Sequence, residues 1–236
     1  MDNISQAGFL LIDKAQGWTS FDVIAKLRNI TNIKKIGHAG TLDPIATGLL
    51  IVAIGREATK QIDQYMKMDK EYLVKGKFGE TSASYDTEEK VVKNKVEPIN
   101  EKEFQKTITK YLGETDQTPP MFSAKKIDGK RLYELARQGK EVERQSVKIK
   151  ITKLELLSFD YPWFELKVSC SSGTYVRSLT HDLGQDLQQG AVMYELRRTK
   201  IGDYNIEQAH RIEEITKANW QKKIAPSRLL LRNGAT

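Results

Sequence analysis

The chain has few of the residues that build disulfide frameworks or metal sites. Among its 236 residues there is one cysteine, Cys170, so an internal disulfide framework is excluded. Apolar and polar residues alternate over 164–170, which predicts a strand with this thiol in the core. The three histidines, His38, His181 and His210, are too scattered to indicate a zinc site.

Long apolar runs are also missing. No stretch is long enough to span a bilayer, and residues 1–10 lack the basic-then-apolar layout of a secretion signal. We therefore expect a cytoplasmic protein. The length allows one large domain or two small ones, with a substantial core.

The charge is modestly positive. Lys and Arg number 38 against 31 Asp and Glu, which gives a formal net charge of +7 and a pI near 9.2. This balance favours polyanionic partners, but many modestly basic proteins bind none. Charge alone is compatible with RNA binding and does not establish it.

Apolar periodicity predicts interspersed strands and helices. Pairs of predicted strands adjoin without a helix between them, so the predicted class is α+β around a mostly antiparallel sheet. The predicted strands are 9–12, 49–54, 72–79, 147–151, 164–170 and 191–199. The predicted helices begin after Thr19 and Asn100, carry the stripe from Val176 to Leu187, and cover 206–217.

The segment GHAGTLDP at 37–44 holds the most concentrated chemistry. Gly37 and Gly40 permit backbone turns, and Pro44 biases Asp43 away from helix. A lone carboxylate on a loop before a buried strand suits a nucleophile. A carboxylate that only caps a turn fits as well, and this octapeptide alone favours that simpler interpretation.

Five stretches in order resemble the TruB family of pseudouridine synthases, which isomerise a uridine in the T-loop of tRNA. The run GHAGTLDPIATGLL at 37–50 resembles the family's catalytic signature. The other four are LIDK at 11–14, KEY at 70–72, GTYVR at 173–177 and LRRT at 196–199. The chain departs from the family at Ala15, where a proline is usual, which loosens that loop but removes no chemical group.

The resemblance implies a fold and a domain organisation. The pseudouridine synthase fold is a mixed, mostly antiparallel sheet flanked by helices, with a central active cleft. We expect residues 1–236 to form one catalytic domain, with a thumb-like RNA-binding insertion at about 118–142. Family members commonly continue into a C-terminal PUA domain, which we expect to be absent here.

The resemblance also implies three catalytic residues. Asp43 matches the catalytic carboxylate, and Arg177 matches the arginine that pairs with it and lowers its pKa. Tyr72 matches the tyrosine that stacks on the target base and can accept a proton. Without the resemblance, Tyr72 is ordinary strand packing and Arg177 a surface residue at a helix start.

Four further residues match substrate-binding positions. His38 resembles the histidine that fills the space left by the flipped base, with acid–base chemistry as its alternative. Tyr175 resembles an aromatic residue that positions Arg177, and Leu196 an apolar residue that packs on the uracil. Lys14 matches a supporting basic residue near the cleft.

The implied reaction is redox-neutral, so we expect no cofactor and no metal. The expected partner is the T-arm of tRNA, with the uridine at position 55 as target, and the expected state is a monomer without a membrane or an obligatory protein partner. Two alternatives stay open: a tRNA-binding folding chaperone with incidental or lost catalysis, and a guide-RNA-dependent synthase that needs partner proteins.

Overall fold

The computed structural model describes residues 7–123, 125–127 and 129–224. The strands are β1 Gly8–Lys14, β2 Ile36–His38, β3 Thr47–Ile54, β4 Lys70–Phe78, β5 Glu80–Thr81, β6 Val92–Lys93, β7 Gly113–Gln117, β8 Lys126–Ile127, β9 Lys130–Arg131, β10 Val147–Asp160, β11 Trp163–Cys170, β12 Ala191–Ile201, β13 Tyr204–Asn205 and β14 His210–Arg211. The helices are α1 Ser20–Thr31, α2 Arg56–Thr59, α3 Ile62–Met66, α4 Glu101–Thr109, α5 Leu132–Ala136, α6 Val176–Asp186 and α7 Trp220–Lys223. Short 3₁₀ turns cover Ile206–Gln208 and Ile212–Glu214.

The chain divides into two compact units. The first combines Met1–Lys70 with Arg197–Thr236, and the second is Glu71–Leu196. The first unit is therefore built from both ends of the chain, and the second lies between them in sequence. Strand β12 contributes residues to both.

The first unit is organised around β3. The strand order is β14-β1-β3-β12, with β2 also paired to β3. β1 runs antiparallel to β3 from Gly8↔Ile54 to Lys14↔Gly48, whereas β12 runs parallel to it. Nearly every residue of β3 is buried, which explains the continuous apolar run that predicted this strand.

Helix α1 covers one face of the first unit's sheet. Thr19 is its N-cap, as the sequence predicted, and the structure adds a capping box with Asp22. Its apolar stripe packs into the core that the strands provide. The shared cluster includes Val23, Ile24, Leu27, Leu10, Ile12, Leu50 and Val52.

The second unit holds residues 191–196 of β12, followed across the sheet by β4, β11, β10 and β7. β10 is antiparallel to both β11 and β7. Aromatic rings fill the core of this unit. Phe78, Phe104 and Phe164 are in mutual contact, with ring centroids 4.5–5.0 Å apart. Cys170 is fully buried in β11, as predicted. The class is α+β with mostly antiparallel pairing, which confirms the predicted fold class.

Three local predictions were wrong or incomplete. The predicted helix at 206–217 is absent: its first turn ends at Gln208, and His210–Arg211 pairs with β1 instead. The apolar stripe of Phe104, Ile108, Tyr111 and Leu112 predicts a helix that continues up to Gly113, but the helix that Asn100 caps ends at Thr109 and Leu112 is exposed. Strand β7 was not predicted, because its sequence, GETDQ, carries no apolar alternation.

The described residues of the segment at 118–142 include regular elements. β8 and β9 pair in a short hairpin, and α5 follows directly. Within the described residues, no helix has the length and apolar character needed to cross a bilayer. The same residues contain no cluster of three His, Cys, Asp or Glu side chains that could hold a metal ion.

Gly76 on β4 provides a test of the second unit's packing. A Cβ at this position would lie 2.2 Å from Cζ of the buried Phe164 ring. We expect Gly76→Ala to lower the free energy of unfolding by about 1–3 kcal/mol through overpacking. Urea denaturation measures this change.

The matched control is Leu73→Ala on the exposed face of the same strand, which should change stability by no more than about 0.5 kcal/mol. Phe164→Leu removes the clashing ring atoms, so the Gly76→Ala/Phe164→Leu pair should be less destabilised than the sum of the single variants. Simple additivity would contradict the clash.

Candidate active site

Asp43 lies on the loop between β2 and β3, as the glycines and Pro44 predicted. Its side chain is partly exposed, whereas Leu42 before it is 3% exposed and Ala46 beyond it is fully buried. The backbone around it is tied down: Ala46 N donates to the Asp43 carbonyl at 3.0 Å, and Gly17 N donates to the Pro44 carbonyl at 2.8 Å. A solvent-reachable carboxylate thus projects from a loop whose backbone is packed.

Two buried polar side chains bind the backbone of this loop. The Ser20 hydroxyl accepts a hydrogen bond from Leu42 N at 3.0 Å and donates to the Leu42 carbonyl at 3.3 Å. Arg198 donates from Nη2 to the Gly40 carbonyl at 3.0 Å and from Nε to the Leu49 carbonyl at 2.7 Å. Both side chains are 1% exposed. Sequence analysis missed both, because nothing local to either residue marks its distant partner.

His38 occupies the last position of β2, opposite Val52. Its ring meets the edge of Phe21, with centroids 6.1 Å apart and planes at 87°. Burial, together with the positive charge of Arg198, lowers the pKa of His38 below its ordinary value of 6.5, against a smaller opposing effect from the Gly40 backbone. The imidazole is therefore neutral at pH 7.

Lys14 is buried at the end of β1, with 1% exposure. Its ammonium donates to the carbonyls of Trp18 at 2.6 Å and Ala15 at 3.1 Å. These contacts close the turn between β1 and α1. In this turn the chain has Ala15, where a proline is usual in the family that the sequence resembles. Lys14 is therefore a buried residue of this turn, and its supporting role at the site stays a prediction.

In the second unit, Tyr72 and Leu196 lie on strands β4 and β12 respectively. Each side chain is 8% exposed. Tyr72 shares its face of β4 with the buried Val74 and Phe78, as the alternation predicted. Both residues could be core packing on burial alone, and their small exposed fractions leave part of each side chain reachable.

Arg177 is also in the second unit, 4% exposed, in the first turn of α6. Its guanidinium donates to the Phe122 carbonyl at 2.6 Å and to the Ser84 carbonyl at 3.4 Å. Asp86, which is fully buried, places Oδ2 at 3.8 Å from Nη1. This carboxylate also accepts from the Ser84 hydroxyl. Sequence analysis did not single out Asp86, which is buried whereas its acidic neighbours Glu88 and Glu89 are exposed.

Tyr175 is the N-cap residue of α6, and Gln117 at the end of β7 holds its backbone on both sides. The Gln117 amide accepts from Tyr175 N at 2.8 Å and donates to the Tyr175 carbonyl at 3.0 Å. The Arg177 guanidinium lies over the Tyr175 ring, 5.9 Å from its centroid. Gln117 is 3% exposed, so this pairing is well shielded from water.

The structure thus groups the predicted residues by unit. Asp43, His38 and Lys14 belong to the first unit, and Tyr72, Tyr175, Arg177 and Leu196 to the second. The pairing of Asp43 with Arg177 and the central cleft remain predictions.

Two family models match the chain. The model for the N-terminal domain of the TruB family of pseudouridylate synthases matches residues 28–176, more than half of the chain. The model for the C-terminal domain of tRNA pseudouridylate synthase B matches residues 177–233. Together they run through six of the seven predicted site residues, since Lys14 precedes the first match.

Curated relatives match over most of the chain. The tRNA pseudouridine synthase B of Clostridium tetani is 47% identical over 221 residues, which is 93% of this chain and 76% of the relative. The protein of the same name from Endomicrobium trichonymphae is 46% identical and is covered to 92%.

Among solved structures, a chain of a Cbf5-Nop10-Gar1 complex matches with a TM-score of 0.72 and 26% identity over 94% of this chain. A chain of an H/ACA RNP bound to a substrate RNA containing 2'-deoxyuridine matches with a TM-score of 0.69 and 25% identity. The chain spans 60% and 56% of the length of these two chains.

The environment of His38 predicts its titration. We expect the C2 proton of this ring to titrate with a midpoint below 6.5, because burial and the Arg198 charge disfavour the imidazolium. Proton NMR measures it, and a His38→Gln variant assigns the signal. As the pH falls through 6.5, the unfolded chain binds this proton before the folded chain does, so His38 destabilises the fold in acid. A midpoint above 6.5 would contradict the buried environment.

The Gln117 pairing predicts a loss of stability. Gln117→Glu keeps the acceptor for Tyr175 N but replaces the donor by a carboxylate oxygen that faces a carbonyl. We expect the free energy of unfolding to fall by about 1–3 kcal/mol, as for a buried hydrogen bond with one partner removed. Gln105→Glu, an exposed change of the same chemistry on α4, is the matched control. Equal unfolding midpoints for the two variants in urea would refute the pairing.

Proposed function

The chain belongs to the TruB family of pseudouridylate synthases, and we propose that it converts the uridine at position 55, in the T-loop of tRNA, into pseudouridine. The observation that carries the proposal is the 47% identity to a protein named tRNA pseudouridine synthase B over 93% of the chain. The packed loop that presents Asp43 supports it, because a catalytic carboxylate needs a fixed approach to its target.

The reaction breaks the C–N glycosidic bond, rotates the detached uracil and forms a C–C bond between C5 of the base and C1′ of the ribose. The proton leaves C5 and the freed N1 gains one, so the change is an isomerisation without net oxidation. In our proposal Asp43 acts as the ionised carboxylate that attacks or stabilises the ribose or the base. Tyr72 stacks on the uracil and accepts a proton, and Arg177 pairs with the carboxylate.

The surrounding residues have binding roles in this proposal. His38 fills the stack from which the target base is extruded, which offsets part of the cost of base flipping. A neutral imidazole suits stacking, and the lowered pKa of His38 supports that state. Leu196 packs on the uracil, Tyr175 orients Arg177, and Lys14 supports the turn beside the site.

We further propose that the protein acts alone in the cytoplasm, as a monomer without guide RNA. The solved relatives named for Cbf5 and H/ACA complexes are 25–26% identical, whereas the relatives named tRNA pseudouridine synthase B reach 47%. The segment at 118–142, with its β8–β9 hairpin and α5, supplies the RNA-gripping thumb of this stand-alone type. No cofactor enters the proposed chemistry.

The proposal is tested with purified protein, unmodified tRNA and no guide RNA or metal. Pseudouridine mapped at the T-loop uridine supports the proposal, whereas tRNA binding without product supports a folding chaperone. Asp43→Asn should lower kcat by about 1,000-fold or more, as expected when a reacting group is removed, and should leave the Kd for tRNA within about threefold.

The matched control is Asp63→Asn, an exposed change of the same chemistry on α3, which should keep full turnover. If Asp43→Asn kept its turnover, the carboxylate would not have the assigned role. If it lost tRNA affinity in parallel with turnover, Asp43 would be a binding group rather than a reacting one.

A further inference from the structure

We propose that Arg198 is a positioning residue for the reaction: it holds the backbone on both sides of Asp43 so that the carboxylate keeps one approach to its target. The inference rests on the proposed function of Asp43. Arg198 is the third residue of the LRRT stretch, and neither the resemblance nor the predicted site gives it a role. It is 1% exposed and cannot itself reach RNA from its place in the fold.

The contacts of Arg198 span the candidate loop. Nη2 donates to the Gly40 carbonyl at 3.0 Å and Nη1 approaches the Thr41 carbonyl at 3.5 Å, both before Asp43. Nε donates to the Leu49 carbonyl at 2.7 Å, after it. One rigid, planar group therefore fixes the two ends of the loop relative to each other.

The backbone of Arg198 is fixed as firmly as its side chain. Arg198 is the register partner of Gly48 in the parallel pairing of β12 with β3. Gly48 has φ +103°, and a Cβ there would lie 2.3 Å from the Arg198 carbonyl oxygen. Only glycine allows this close approach, so the point from which the guanidinium extends is set by the sheet.

Ser20 binds the loop between these two ends. It precedes the loop in sequence, whereas Arg198 follows it. Its hydroxyl makes two bonds to the backbone of Leu42, the residue directly before Asp43. Helix α1 thus fixes the middle of the loop and strand β12 fixes its ends. The backbone that carries Asp43 is therefore held on both sides and directly before it.

The chemistry of the contacts explains why this residue is an arginine. A guanidinium presents its N–H donors in a fixed fork, which can serve several carbonyls at once, whereas a lysine ammonium is a point charge on a flexible stem. Among the described residues no carboxylate forms an ion pair with Arg198, so its hydrogen bonds go to backbone carbonyls. Arg197, the preceding residue, instead pairs with Asp13 at 2.8 Å.

This arrangement predicts an effect on turnover rather than on affinity. A displacement of about 1 Å in a reacting group can cost on the order of 100-fold in rate. Binding of tRNA depends on surface groups that Arg198 does not provide. The signature of a positioning role is therefore a fall in kcat with an unchanged Kd for tRNA.

The test compares Arg198→Lys and Arg198→Ala with wild type in the tRNA assay. We expect Arg198→Lys to lower kcat about 10-fold and Arg198→Ala about 100-fold, with Kd for tRNA within about twofold in both. Millimolar guanidinium chloride should restore part of the turnover of Arg198→Ala, because the ion can occupy the vacated site. Equal concentrations of ammonium chloride should not.

Arg28→Met is the matched control. Arg28 is exposed and also donates to a backbone carbonyl, that of Lys34 at 3.1 Å, but away from the loop. It should keep full kcat. Ser20→Ala is a small change that removes the hydrogen bonds to the Leu42 backbone, and it should lower kcat without changing the Kd for tRNA. This variant tests the fixed loop if Arg198→Ala does not fold.

Three results would overturn the proposal: full turnover in Arg198→Lys, equal losses of kcat and affinity, or no guanidinium rescue in a folded Arg198→Ala protein. If neither arginine variant folds, Arg198 is a residue of the fold and the positioning role is rejected. Wild-type protein that forms no pseudouridine defeats the proposed function itself. Active wild type with a fully active Arg198→Lys defeats only the present inference.

Discussion

Hydrogen bonds from buried polar side chains to loop backbone are the interactions on which the candidate site depends. Loops have no regular ladder of backbone hydrogen bonds. Each backbone N–H or C=O group that is buried in a loop therefore needs a hydrogen-bond partner from another part of the chain. Here Arg198 and Ser20 serve the loop of Asp43, and Gln117 serves the turn that leads to Arg177. In each case the side chain comes from a regular element, so the rigidity of the sheet and helices is passed to an irregular segment.

The same principle accounts for the charges inside the protein. A buried guanidinium is costly unless donors and acceptors surround it. Arg177 is surrounded by two carbonyls and the Asp86 carboxylate, and Arg198 by carbonyls of its own unit. Each arginine therefore stabilises the loop conformation that satisfies it, and a different loop conformation would leave a buried charge without its hydrogen bonds.

The parts of the fold that could be predicted are those whose signal is local. β3 shows a continuous apolar run, α1 shows a cap followed by an apolar stripe, and β4 alternates, so all three were found from sequence. The 206–217 segment has apolar residues at helical spacing too, but pairing of His210–Arg211 with β1 overrides that tendency. Apolar periodicity does not reveal which neighbouring strand will form hydrogen bonds with the backbone of a segment.

The candidate residues were found through motif resemblance, whereas the residues that hydrogen-bond the backbone around them were not. Arg198 and Leu49 are 149 positions apart, and Gln117 and Tyr175 are 58 apart. A single sequence contains no signal that links such positions. Asp86 illustrates the same limit, since no local feature of the sequence predicts that it is buried whereas its acidic neighbours Glu88 and Glu89 are exposed.

The division of the first unit between the two ends of the chain has a consequence for biosynthesis. The ribosome makes the Asp43 loop early, and the arginine that fixes it follows 149 residues after Leu49. Translation proceeds at about 5–20 residues per second, so on the order of ten seconds pass between the synthesis of the loop and that of Arg198. During translation the first unit therefore stays incomplete until β12 has been made, and until then the backbone of the Asp43 loop lacks the hydrogen bonds from Arg198.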